Sequence, residues 1–215
     1  MIFRSLSLFS FCMCFLVGCS IRRESKEELL INNISKPVVC VAPVVNRVDT
    51  TLNWDLGEEF TYLYCDHLSS KDRLYVLSLD QAKSLSKLSF KDPFGENLNW
   101  IPTIFEDQDM VIFSEILDYK QEGRYLDVSI RVRALDIRNR SNPQIILQEI
   151  TDYRYNFPKA FSADNFHHLD WKEEGYFDSP LAKAHEDVTK KLMDQVAGYI
   201  YDQIAPLQSK GSSID

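Results

Sequence analysis

Apolar positions in the first half of the chain follow two different periods, which predict alternating strands and helices. Residues 38–45 are nearly all apolar and β-branched, as in a buried strand, and Pro43 lies near the end of this run. After a polar loop, apolar residues recur on one helical face, with Asn53 as the predicted N-cap. Residues 74–79 predict a second strand and residues 80–88 a second, short helix. The apolar face of the first helix consists of Leu56, Phe60, Leu63 and His67.

The second half predicts three consecutive strands joined by hairpin turns. They cover residues 110–119, 126–134 and 145–155, and Gly123 lies in the first turn. The middle strand alternates strictly, which predicts one face on the core and one in water. On the water side, Glu115 and Glu149 are expected to pair with arginines of that strand. Its apolar positions are Leu126, Val128, Ile130, Val132 and Ala134; its polar ones are Asp127, Ser129, Arg131 and Arg133.

A long amphipathic helix closes the folded part of the chain. Ser179 is its predicted N-cap, Pro180 its first residue and Pro206 its stop. Its apolar stripe contains Leu181, His185, Val188, Leu192, Val196, Tyr199, Ile200 and Ile204.

The order of elements is β-α-β-α, then an antiparallel three-strand meander, then a C-terminal helix. Strands joined through a helix are parallel and hairpin strands are antiparallel, so the predicted class is α+β with a mixed sheet. We expect a single domain over residues 37–205 and a frayed tail over residues 206–215.

The N-terminus has the pattern of an export signal. Arg4 precedes an uncharged apolar run, residues 5–18, which at 14 residues is shorter than the roughly 20 that a spanning helix needs. The run ends in Leu16-Val17-Gly18-Cys19, which resembles the bacterial lipobox. That resemblance implies a signal peptide at 1–18, cleavage between Gly18 and Cys19, and a covalent lipid on Cys19. The alternative is an ordinary secretory signal. Residues 19–36 then form the lipidated cysteine and a short tether with a reach of roughly 20–25 Å.

The strand and helix pattern over about residues 37–204 also resembles a known fold group. It starts at 39–46 (VCVAPVVN) and continues through the meander that begins DMVIFSEILDYK to the last helix. The group contains the curli secretion lipoprotein CsgG, the penicillin-binding-protein activator LpoB and the N-terminal domain of TolB. A weaker resemblance is to uncharacterised chlamydial-type lipoproteins.

Charge and glycine content exclude several functions. The chain has 24 Lys and Arg against 32 Asp and Glu, a net charge of −8 that becomes −9 once Arg4 leaves with the signal. Without a basic block the chain is not expected to bind nucleic acid. Its 7 glycines form no phosphate-binding loop.

Residues that could carry chemistry do not form a recognisable catalytic or metal-binding motif. His167, His168 and Asp170, with His185 and Glu186, match no metal-site spacing, so no metal or other cofactor is expected. Acidic pairs such as Glu106-Asp107 are typical of solvated surface, and no serine has a nucleophile-elbow context. The chain is therefore not expected to be an enzyme.

The segment 153–177 is unusually aromatic. It either covers the edge of the sheet or presents a surface for a protein partner, with Trp171 as the best single anchor. The residues predicted to bind a partner are Tyr155, Phe161, Phe166, Trp171, Tyr176 and Phe177.

Two cysteines remain besides Cys19 after signal cleavage. Cys40 lies in the first strand and Cys65 near the end of the following helix, an arrangement that allows a disulfide. The alternative is two buried free thiols.

Taken together, these features predict a membrane-anchored lipoprotein that faces the periplasm. Ser20 follows the lipidated cysteine, which by resemblance to proteobacterial sorting indicates the outer membrane. We expect a non-enzymatic adaptor or accessory protein for an envelope assembly or transport component. The alternatives are an auxiliary lipoprotein of a lipid or lipopolysaccharide transport system, with an apolar groove between sheet and helix, and an envelope hydrolase, with acid and base residues in a cleft.

Overall fold

The fold is α+β, with a mixed six-stranded sheet and four helices among the residues that the structure describes. The structure is a computed structural model, and it describes residues 36–77, 92–158 and 170–208, of which 205–208 as backbone alone. The strands are β1 (Val38–Val41), β2 (Val45–Asn46), β3 (Tyr75–Val76), β4 (Met110–Glu122), β5 (Tyr125–Asp136) and β6 (Gln144–Asn156). The helices are α1 (Leu56–Ser69), α2 (Ile101–Ile104), α3 (Glu174–Phe177) and α4 (Pro180–Gln208).

The sheet order is β3-β1-β4-β5-β6, and β2 also pairs with β4. β1 runs parallel to β3 and β4, while β4, β5 and β6 form the antiparallel meander that the alternating pattern predicts. The hairpin between β4 and β5 turns at Gly123, whose φ of 57° favours glycine. The predicted fold class is therefore confirmed.

Several predicted boundaries are wrong by a few residues. The first predicted strand is split around Pro43 into β1 and β2, since proline cannot donate to a strand ladder. α1 is capped by Asp55 rather than Asn53: its carboxylate accepts from the backbone N–H of Gly57 at 2.7 Å. Ser179 does cap α4, where its hydroxyl accepts from the N–H of Ala182. α4 continues through Pro206 to Gln208. The helix predicted at 80–88 lies outside the described residues.

The main hydrophobic core lies between one face of the sheet and helices α1 and α4. The five apolar positions of β5 that were predicted to face it are all buried there. From α4, all of the predicted stripe is buried except Tyr199, which is 42% exposed. Amphipathic periodicity therefore predicts this layer correctly.

The alternation of β5 predicted that the other face of the sheet lies in water, but only part of that face does: Asp127 and Arg131 are partly exposed, whereas Arg133 is buried. A second apolar cluster covers the rest of this face, built from strand residues such as Val111 and Phe113, from Ile101 in α2 and from Phe105 directly after it. Arg133 is consequently buried, and its guanidinium donates to the carbonyls of Pro93, Phe94 and Gly95, each at 2.8 Å. The segment from Asp92 to Phe105, irregular except for α2, thus replaces the solvent expected on this part of the face.

Candidate functional site

A cleft of about 250 Å³ lies between α1, α4 and the segment around α3. The other α1 residues in its wall lie three, four, seven and eight positions after Glu59, so all of them share one helical face. The α4 residues follow the same spacing. The lining residues are Glu59, Tyr62, Leu63, Asp66 and His67 from α1, Ala182, Glu186, Thr189 and Lys190 from α4, and Trp171, Tyr176 and Phe177 between them.

Four aromatic rings meet in this cleft as two pairs. The rings of Tyr62 and Trp171 are 5.4 Å apart, and those of Tyr176 and Phe177 are 6.0 Å apart. Trp171 and Tyr176 are buried, whereas Phe177 is 47% exposed. The cleft therefore combines a fixed aromatic wall with one ring that remains open to solvent.

A buried hydrogen-bond network lies at the base of the cleft, centred on the carboxylate of Glu59. The Tyr176 hydroxyl donates to Oε1 of Glu59 at 2.5 Å, and the Trp54 indole N–H donates to Oε2 at 2.8 Å. His185 lies with Nδ1 2.7 Å from Oε1 of Glu59 and Nε2 2.9 Å from the Tyr119 hydroxyl. With the proton on Nδ1, the imidazole donates to Glu59 and accepts from Tyr119, so both ring nitrogens are satisfied.

The centre of this network, Glu59 with His185, is closed to solvent. Glu59 is 1% exposed and His185 is 0% exposed. Burial, reinforced by the nearby charge of Glu59, raises the pKa of both Tyr119 and Tyr176 above the usual phenol value. The two phenols therefore stay protonated and remain hydrogen-bond donors. The arrangement ties α1 to β4, α3 and α4, and it presents no free base or nucleophile to the cleft.

Charged side chains at the mouth of the cleft differ in how they are paired. His67 and Lys71 share the carboxylate of Asp194, at 2.9 and 2.5 Å. Asp66 and Glu186 are exposed and form no ion pair within the described part of the chain. The mouth thus carries carboxylates that are available to a partner.

A second cavity, of about 360 Å³, lies on the opposite face of the sheet beside Arg47, Asp92 and Glu115. Glu115 is 2% exposed, and its two carboxylate oxygens pair with the guanidinium groups of Arg47 and Arg131. The predicted pairing of Glu115 with Arg131 is confirmed. Because its central carboxylate is already paired on both sides, this cavity offers less free charge than the cleft.

The structure brings together half of the residues predicted to bind a partner. Trp171, Tyr176 and Phe177 line the cleft. Tyr155 is on β6, where its ring is 5.2 Å from that of Phe157 and packs against the main core. Phe161 and Phe166 lie outside the described residues.

The disulfide that the sequence allows between Cys40 and Cys65 is not formed. Both are buried free thiols. Val39 and Val41 face the helices, so Cys40 points to the opposite face of β1 and joins the second cluster, while Cys65 joins the main core. Burial raises the pKa of the Cys40 thiol to about 12 and that of Cys65 to about 11.

Other predicted features fall outside the described residues or differ in detail. The lipobox with Cys19, and His167 and His168, are outside them. His185, which belongs to the predicted apolar stripe of α4, lies inside the core. Over residues 36–77, 92–158 and 170–204, no three His, Cys, Asp or Glu side chains converge as metal ligands would. No described helix is long and apolar enough to cross a membrane.

Glu59 and Tyr119 were not predicted from the sequence as part of a site, although the position of Glu59 on its helix indicates a buried carboxylate. Glu59 lies three residues after Leu56 and four before Leu63, so it shares their inward face. A carboxylate at such a position is expected to have buried partners. The identity of those partners, on β4, α3 and α4, required the three-dimensional arrangement.

Comparison with known proteins gives a family and one informative structure. The model of a family of unknown function, DUF7499, matches residues 28–204. The hypothetical protein CT253 from Chlamydia trachomatis has a similar structure: the TM-score is 0.62 at 25% identity, over 77% of this chain and 98% of that one. No curated protein matches the sequence.

Two of the sequence resemblances can be judged from these matches. The similarity to a chlamydial hypothetical protein agrees in part with the weaker resemblance, whereas neither comparison supports the CsgG, LpoB and TolB group. The lipoprotein GNA1162 from Neisseria meningitidis is matched at a TM-score of 0.40 and 14% identity, over 79% of this chain and 99% of that one. That likeness is too distant to support an argument about function.

Proposed function

Because the chain belongs to DUF7499, a family of unknown function, we propose its role from its own residues: it is a lipid-anchored envelope protein that acts without catalysis. It holds a segment of a protein partner in the cleft between α1, α3 and α4. The partner is a component of an envelope assembly or transport system, and the protein faces the periplasm from the outer membrane.

The lipobox supports the anchor. Leu16-Val17-Gly18-Cys19 follows an apolar run too short to span a membrane. One acyl chain binds a membrane only marginally, so the several chains that the lipobox resemblance implies on Cys19 would give stable attachment. The tether then keeps the domain within a few tens of ångströms of the surface.

The cleft supports protein binding, and it is the observation on which the proposal rests. Its volume of about 250 Å³ is below the roughly 300–1,000 Å³ of small-molecule sites, so it suits one or two side chains of a partner. Exposed Phe177 adjoins buried Tyr176 and Trp171, the pattern of an interface anchor at the rim of a rigid aromatic pocket.

Two competing functions receive less support. A lipid-carrying protein needs an apolar groove between sheet and helices, but packed core side chains fill that layer. A hydrolase needs acid and base groups held together inside a cleft, but Glu59 and His185 are buried and bonded to each other, and the free carboxylates Asp66 and Glu186 are exposed.

Site-specific photocrosslinking in the native envelope tests the proposal. A photoreactive phenylalanine replaces Phe177 in the full-length lipidated protein, and the matched control replaces Tyr199, which is 42% exposed on α4 but does not line the cleft. We expect a defined protein adduct from position 177 and none of the same size from position 199. Identical adducts from both positions, or none from position 177, would overturn the proposal.

The anchor has a separate test. Replacing Cys19 by alanine should abolish incorporation of labelled palmitate and move the protein out of the membrane fraction. A Cys40→Ala variant is the control, since its thiol is buried in the domain. Retention of label in the Cys19→Ala protein would exclude Cys19 as the lipid site.

A further inference from the structure

The cleft carries a surplus of negative charge that the proposed function does not itself explain. Three carboxylates line it (Glu59, Asp66 and Glu186) against one ammonium, that of Lys190. His67 is also in the wall, but its imidazole is already bonded to Asp194. Glu59 is enclosed by its network, so Asp66 and Glu186 set the charge that a partner meets at the mouth.

We infer that the partner segment places a basic side chain, lysine or arginine, in this cleft. This inference rests on the proposed function and adds the chemistry of the partner. A cation near the rings is attracted by their negatively charged faces, and free carboxylates at the mouth favour the same charge. A neutral apolar side chain would use the rings but leave both carboxylates unpaired.

The molecule already contains a similar arrangement beside the cleft. The ammonium of Lys172 is 5.2 Å from the centroid of the Trp171 ring and 3.0 Å from a carboxylate oxygen of Glu58. The same tryptophan therefore takes part in holding a lysine between an aromatic face and a carboxylate. Lys172 is not among the residues that line the cleft, so this contact does not fill it.

The two free carboxylates come from both helical walls of the cleft. Asp66 is on α1 and Glu186 on α4, the two helices that form the walls, and both are exposed. Asp194, also on α4, is different because His67 and Lys71 already bind it. A partner cation in the cleft would therefore meet free carboxylates without displacing an internal ion pair.

Fluorine NMR of the full-length lipidated protein in detergent micelles tests the charge preference. The protein has 3 tryptophans, and 5-fluorotryptophan labelling gives each its own signal. The probes are n-butylguanidinium and n-butylammonium, with n-butanol and butyrate as neutral and anionic controls. We expect both cations to shift the Trp171 signal saturably and the controls to have little effect. Trp100, in the second cluster across the sheet, should not respond.

Charge variants sharpen the test. In an Asp66→Asn/Glu186→Gln double variant the cations should bind about three- to tenfold more weakly, the range expected for two exposed ion pairs. Lys190→Ala should strengthen binding, because it removes an ammonium from the wall. Asp202→Asn, exposed on α4 outside the cleft, should change nothing. Equal binding of n-butanol and the cations, or an unchanged affinity in the double variant, would overturn the inference.

The inference and the proposed function fail in different ways. If crosslinking from position 177 persists at full yield in the double variant, the partner is held without a basic side chain and only the inference is wrong. If position 177 gives no adduct in the wild-type background, the proposed function itself is wrong. A crosslink that the double variant weakens and Lys190→Ala strengthens supports both.

Discussion

The two faces of the sheet are covered in different ways. Helices α1 and α4 cover one face with apolar residues at regular helical spacing. Part of the other face is covered by the segment from Asp92 to Phe105, irregular except for α2, which packs Ile101 and Phe105 against the strands. On that side Arg133 donates hydrogen bonds to backbone carbonyls of the segment. In a helix, such carbonyls would accept from backbone N–H groups of the helix itself.

The comparison shows that a buried polar group has a different role on each face. On the helical face, Glu59 joins elements that already fold by apolar periodicity. On the other face, the hydrogen bonds of Arg133 help to attach the covering segment to the sheet, because the apolar residues of that segment do not recur at helical or strand spacing. Removing Arg133 should therefore cost more than altering Glu59.

The largest effect is expected from Arg133→Ala. It removes four hydrogen bonds, three to carbonyls and one of 2.7 Å to Gln148, and leaves three half-buried carbonyls without their donor. We expect a loss of about 4 kcal/mol in the free energy of unfolding by urea titration. Arg140→Ala is the control: Arg140 also donates to carbonyls but is exposed, so we expect about 1 kcal/mol. Equal losses would remove the distinction drawn for Arg133.

Glu59→Gln should have the next largest effect. The substitution keeps the size of the side chain but places an amide N–H₂ where the carboxylate accepts from Trp54, Tyr176 and His185. A donor would then face a donor in a buried site, and we expect a loss of about 2–3 kcal/mol in the same titration. Glu58→Gln, next to it but exposed and paired with Lys172, should cost less than about 1 kcal/mol.

The two buried thiols, one on each face of the sheet, predict that the free energy of unfolding falls at alkaline pH. Burial raises the pKa of Cys40 from 9.0 to about 12 and that of Cys65 from 9.0 to about 11. The folded chain therefore keeps a proton that the unfolded chain loses, and stability falls as pH rises through these ranges. The slope is about 1.4 kcal/mol per pH unit for each thiol.

Single alanine variants separate the thiols from the buried tyrosines, which add to the slope in the same direction. Between pH 9 and 11, the unfolding free energy of Cys40→Ala and of Cys65→Ala should each decline less steeply than that of wild type. Between pH 11 and 12, Cys40→Ala alone should keep this advantage. Slopes that match wild type throughout would show that neither thiol is shielded from solvent.

The same contrast explains how far the sequence could predict the molecule. The meander, the capped C-terminal helix and the core residues of β5 follow from periods of two and 3.6 and from Ser179-Pro180. The cover over the second face could not be predicted, because its contacts are between Arg133 and backbone carbonyls 38 to 40 residues away. Such contacts leave no repeating pattern.

The cleft was predictable in part for a related reason. Trp171, Tyr176 and Phe177 stood out by composition, and all three line it. Asp66 did not, and Glu186 was considered only as a metal ligand, because each looks like an ordinary charge on the polar side of an amphipathic helix. Only the packing of α1 against α4 brings their two faces to a common opening.

The smallest predicted effect concerns Gly198 in α4, one of the two helices that cover the helical face. An added Cβ at Gly198, in the interior of α4, would meet no atom within 4 Å, so Gly198→Ala changes helix propensity and little else. We expect a gain of about 0.8 kcal/mol in unfolding free energy. Gly123→Ala is the matched control, since its Cβ also meets nothing but φ is +57°. We expect a loss of about 1 kcal/mol there. If both changes had the same sign, local propensity would not account for the stability of α4, and tertiary packing alone would have to explain the helical face.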